Sequence, residues 1–129
     1  VRRPNDCISA CLAHVLDMPT EEVPYFWGIA GNDGERMEQR IREWLDELGY
    51  SLWFLSIEAN AVSDVLYAMS RNAGQKWILG GSTNNKNHAV VCRGNEVIWN
   101  PAVNAEISAA ALTETGERRF FVFIIGAKL

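Results

Sequence analysis

Two apolar runs, His88-Ala-Val-Val-Cys92 and Val97-Ile98-Trp99, stand on either side of Arg93-Gly94-Asn95. A glycine-containing turn between two such runs is a β-hairpin signal, because glycine accepts the positive φ that a tight reversal needs. The hairpin commits the C-terminal half to antiparallel β-structure. Phe120 to Ile125 adds an apolar strand with no polar alternation, the pattern of a strand central in its sheet. Leu52 to Ile57 and Trp77 to Gly80 also read as strands. Gly80-Gly81-Ser82-Thr83-Asn84-Asn85 reads as a loop leading into His88.

The N-terminal half reads as helical. Either side chain of Asn5-Asp6 can cap a helix beginning near Cys7. Ile8, Leu12, Val15 and Leu16 then recur at helical spacing, and Pro19 closes the segment. Thr20 to Pro24 resembles a helical turn pinned between prolines, and Gly28 to Gly34 a loop. Glu35 to Leu48 has the strongest helical period, with Met37, Ile41, Trp44, Leu45 and Leu48 on one face and Gly49 as its cap. Ala61 to Met69 predicts a short helix and Ala109 to Leu112 a further helical turn. The fold class is α+β, with N-terminal helices packed on a mainly antiparallel sheet. No repeat or linker interrupts it, so residues 1–129 form a single domain.

Composition narrows the function classes. The formal net charge is −4 and the Lys and Arg residues are scattered. A nucleic-acid surface or an anionic membrane surface would need a basic patch, so neither partner is expected. No apolar run approaches the ~20 residues of a membrane span, and no signal peptide opens the chain. Three cysteines are too few for a disulfide scaffold and point to a reducing, cytoplasmic compartment. No cofactor motif is evident.

Cys7 falls in the first turn of its helix, where free N–H groups and the helix dipole favour a thiolate. Asp6 opposes that ionisation to a degree set by its orientation. The plainer role for Cys7 is a small buried residue. Cys11 and Cys92 read as core. His88 opens a strand after a polar loop, a placement that suits a proton-transfer group as well as a structural histidine. Asn100 can accept from the imidazole and fix its tautomer, or can serve with Pro101 as a bare turn. A hairpin pivoting about Gly94 sets positions 88 and 100 opposite each other. A two-residue Gly94-Asn95 turn slips the register and turns Asn100 to the other face, unless a bulge reconciles the two.

Each residue is weak alone, but the order Cys, His, Asn is stronger. The segment Asn5-Asp6-Cys7 through Cys11 to Leu16-Asp17-Met18-Pro19, continuing Glu21-Glu22-Val23-Pro24-Tyr25-Phe26, resembles an uncharacterised papain-like family found largely in bacteriophages and bacteria. His88-Ala89-Val90-Val91 and Trp99-Asn100-Pro101 match its later motifs, and Trp44-Leu45 and Gly49 are also touched. The arrangement is similar to the double-glycine bacteriocin-leader peptidases. The resemblance implies a papain-like cysteine peptidase or amidase, a thiol hydrolase with a peptide or protein substrate in a bacterial or phage-infected cell. Cys7 would be nucleophile, His88 base and Asn100 the orienting group, where this family usually has Asp. Papain-fold enzymes place an oxyanion-hole Gln before the Cys, and no Gln precedes Cys7 here. Either it lies upstream of Val1, or Asn5 substitutes, or the hole is incomplete, which typically costs ~10²–10³ in rate.

Two other classes compete. A papain-like scaffold without turnover would bind a protein partner through the same surface. Cys7, Cys11 and His14 share one helix face at i, i+4 and i+7, but one rigid helix cannot surround a tetrahedral metal, so no metal is expected. Trp27 and Trp99 are candidate cleft walls or packed aromatics, and the Gly80 to Asn87 loop a candidate rim beside His88. Oligomeric state leaves no mark on the sequence.

Overall fold

The expected hairpin forms at one side of a five-stranded sheet. The computed structural model describes residues 6–31, 33–59, 62–70, 74–83, 86–101 and 119–128. Its strands are β1 (Tyr50–Glu58), β2 (Lys76–Thr83), β3 (Lys86–Arg93), β4 (Glu96–Trp99) and β5 (Arg119–Ala127), in the order β1-β5-β2-β3-β4. Every pairing among the described residues is antiparallel. β5 lies inside the sheet, as its unbroken apolar run requires, with Phe120, Val122, Phe123 and Ile125 all buried.

The helices are α1 (Cys7–Leu16), α2 (Phe26–Ala30), α3 (Gly34–Glu47) and α4 (Val62–Ala68). One apolar layer joins Ile8 and Leu12 of α1 and Ile41 and Leu45 of α3 to Ile78, Ala89, Val91 and Ile125. A second joins Val65 of α4 and Met69 just beyond it to Trp77, Leu79, Val90, Cys92 and Phe120. Ala89 and Val91 thus belong to one layer and Val90 and Cys92 to the other, as strand alternation demands. The result is an α+β domain with α1 and α3 on one face of the sheet and α4 on the other.

Several local expectations are corrected. α1 ends at Leu16, three residues before Pro19, because Asp17 turns left-handed (φ 55°) and Met18 N–H donates back to the Ala13 carbonyl at 3.0 Å. Gly28 lies inside α2 rather than in a loop; a Cβ there would sit 2.7 Å from Tyr25 Cδ2, so the glycine lets that ring lie against the helix. Leu48, assigned to the apolar face of α3, is exposed. Gly80 to Thr83 continue β2 instead of forming a loop, since Gly80 pairs with Ala89 on one side and Phe121 on the other. Ladder bonds on both sides outweigh the low strand preference of glycine. The turn expected over Ala109 to Leu112 lies outside the described residues.

Candidate active site

Register explains how Asn100 reaches His88. Arg93 faces Glu96 and Cys92 faces Val97, so the turn has the two residues Gly94 and Asn95. Gly94 has positive φ (58°), and its carbonyl accepts a 2.9 Å hydrogen bond from the buried Trp77 Nε1. Continued regularly, this register would leave Asn100 out of phase with His88. Instead it shifts between Cys92 and Val91, so Val91 faces Trp99 and Ile98 is the extra residue of a bulge. One step on, Asn100 comes level with Val90, in phase with His88 and diagonal to it. Among the alternatives open at the outset, the structure takes the two-residue turn corrected by a bulge.

Both side chains are half-buried, and His88 Nε2 lies 2.9 Å from Asn100 Oδ1. An amide oxygen only accepts, so Nε2 carries the proton in this contact. Pro101, immediately after, is buried.

Cys7 is the first residue of α1, half-buried and in no disulfide. Asp6 is the N-cap, but of the two candidate capping side chains its own makes no cap hydrogen bond. Its carbonyl does accept from Ala10 N–H at 2.9 Å, and the side chain is buried, which separates it from a solvent-exposed cap. Asn5, the other candidate cap and the candidate oxyanion-hole residue, lies outside the described residues.

The direction of α1 follows from its other end. His14 stacks on Trp99 with ring centroids 4.7 Å apart and planes at 24°. Lys76 Nζ donates to the His14 carbonyl at 3.3 Å, and Lys76 pairs with Arg93. The last turns of α1 therefore sit at the Arg93 end of β3. The helix packs along β3 through Ala89 and Val91. Seven helical residues rise about 10 Å, while the strand from Arg93 back to His88 spans about 17 Å. α1 thus runs Cys7 to the end of β3 that bears His88, on the sheet face of Ala89 and Val91. In the ladder His88 alternates with Ala89 and shares the phase of Val90.

The remaining candidates separate by burial. Cys11 and Cys92 are fully buried in the core, and burial pushes the Cys92 thiol up to about 12. Among the described residues no group of three or more His, Cys, Asp or Glu side chains is placed to hold a metal ion. His14 has other partners, since its Nδ1 lies 3.4 Å from Lys76 Nζ. Its pKa lies below the ordinary 6.5, first through burial, then through repulsion by Lys76 and Arg93, with Asp17 opposing. Trp99 is half-buried against the core and against His14, a packed aromatic. Trp27 is half-buried on α2. The rim expected over Gly80 to Asn87 is mostly strand, with Gly81 paired to His88. Lys76 escaped the sequence reading, because its role depends on the β2–β3 register alone.

Among the described residues no helix is long and apolar enough to cross a membrane. Compared with protein-family models, with curated proteins and with solved structures, the chain matches none.

Proposed function

We propose that the chain is a papain-like cysteine hydrolase of peptidase or amidase type, cleaving an amide or isopeptide bond in a peptide or protein inside a bacterial or phage-infected cell. The observation that carries this reading is the 2.9 Å contact of His88 Nε2 with Asn100 Oδ1, which puts a proton on Nε2 and makes Nδ1 the proposed base. Cys7 at the start of α1 supplies the matching nucleophile, because a helix start favours a thiolate.

In the reaction, His88 Nδ1 takes the Cys7 thiol proton and the sulfur attacks the carbonyl carbon. The tetrahedral intermediate collapses as the C–N bond breaks, and the imidazolium returns its proton to the leaving amine. A thioester remains on Cys7. Water then gives a proton to His88 and attacks the thioester; the C–S bond breaks, the acid departs and the thiol is regenerated. The developing oxyanion is met by the backbone N–H of Cys7, with Asn5 as the candidate second donor. Asn100 holds the imidazole in the tautomer these transfers require.

The test is the alkylation rate of Cys7 by iodoacetamide from pH 5 to 9, with each cysteine followed by mass spectrometry. An unperturbed thiol, with pKa ~8.5, is under ~1% thiolate at pH 6. The expected result is fast labelling below neutrality that disappears in His88→Ala. Labelling that rises as an ordinary thiol ionises and ignores His88 would sink the catalytic reading in favour of a papain-like shell that binds a protein partner.

A further inference from the structure

We infer that the stacked pair His14–Trp99 is a positioning device that fixes α1, which begins with Cys7, against the strand that ends beside Asn100. The inference rests on the reading of Cys7, His88 and Asn100 as one catalytic set. β4 is the outer strand of the sheet, four residues long, and a bulge separates its last registered pair from the rest. A short bulged edge has little of its own to hold its end in place. Asn100 follows directly on Trp99, so the position of that indole sets where the amide begins. Trp99 is held by Val91 through the strand ladder and by His14 through the ring stack.

His14 is held in turn. Lys76 reaches both its carbonyl (3.3 Å) and its Nδ1 (3.4 Å). An ammonium group only donates, so Nδ1 accepts and the ring is neutral in this arrangement. The charged groups acting on it are Lys76 from β2, Arg93 from β3 and Asp17 just after α1. A proton on Nδ1 would face the Lys76 ammonium and loosen the contact. One continuous set of contacts, Lys76 to His14 to Trp99, therefore links the helix bearing the nucleophile to the residue that orients the base.

The test uses the full chain with His14→Ala, Trp99→Ala and Trp99→Leu, beside the conservative His14→Phe and Trp99→Phe. Imidazole ¹⁵N shifts of His88 report which nitrogen carries its proton, and thermal unfolding reports that each variant is folded. The variants without a stack are expected to lose the Nε2–H preference of His88. Their Cys7 labelling at pH 6 should slow on the order of 10- to 100-fold. The Phe variants are expected to stay near wild type in both. Trp99→Leu keeps apolar bulk and carries the test should the alanine variants fail to fold. Folded stack-free variants with the His88 tautomer unchanged would overturn the inference. The tautomer readout does not depend on whether Cys7 is activated in wild type, so failure of the catalytic reading is seen separately, in the wild-type and His88→Ala labelling.

Discussion

The Nε2 of His88 lies 2.9 Å from the amide oxygen of Asn100, across a hairpin whose turn alone would send the two side chains to opposite faces. The bulge at Ile98 brings them together, and the contact decides which imidazole nitrogen carries the proton.

Asn100→Ala is therefore expected to slow Cys7 labelling at pH 6 by ~10²-fold, because the imidazole loses its fixed tautomer. Asn100→Asp should label at least as fast as wild type and hold its rate further into acid, since a carboxylate also stabilises the imidazolium. Rates of labelling for the two variants across pH 5 to 9 check both signs. Equal rates for Ala and wild type would remove Asn100 from the site.

The three cysteines should differ sharply in the native state. Cys11 and Cys92 are fully buried, and burial pushes the Cys92 thiol up to about 12. Only Cys7 is expected to react in native buffer, with Cys11 and Cys92 reacting at rates that rise with urea as the chain opens. Urea-independent labelling of Cys92 would contradict its placement on the face of β3 that packs in one layer with α4.

Stability should carry a pH signature of His14. Its pKa in the folded chain lies below the ordinary 6.5, so the unfolded chain binds the proton more readily. The contribution is whole above about pH 6.5 and falls away as the pH drops from there toward the folded value. Urea unfolding at pH 7.5 and pH 5 should show wild type losing more stability than His14→Phe, which cannot be protonated. Parallel losses in the two proteins would exclude His14 as the source.

Trp77→Phe removes the donor to Gly94 and leaves the turn carbonyl without its buried partner. A loss of about 2 kcal/mol is expected, part hydrogen bond and part unfilled volume. A lower urea midpoint at unchanged slope checks it. An unchanged midpoint would show that water satisfies the carbonyl equally well.

Much of the fold was legible because periodicity reports burial directly. Ile41 and Leu45 keep the helical spacing of α3, and Phe120 to Ile125 carry the apolar run of an interior strand. Gly80 and Gly81 were misread because local preference was the only guide, whereas their pairing with Ala89 and His88 comes from partners distant in sequence. Cys7, His88 and Asn100 were each visible by type and order. The meeting of His88 with Asn100 stayed open between two registers, because it hangs on one extra residue at Ile98 that no turn motif announces. The same limit hid Lys76, which reaches His14 across 62 positions.

The place of β5 has a consequence for how the molecule is made. This strand joins β1 to β2, yet it follows all the others in the chain. While a ribosome is still adding residues before Arg119, β1 and the β2–β3–β4 meander have no partner between them, and their apolar edges wait for it. Non-local pairing of this kind is slow to form, and exposed edges recruit neighbouring chains in the meantime. Synthesis paused just before β5 should therefore leave a protease-sensitive nascent chain, and release of the pause should protect the whole sheet in a single late step.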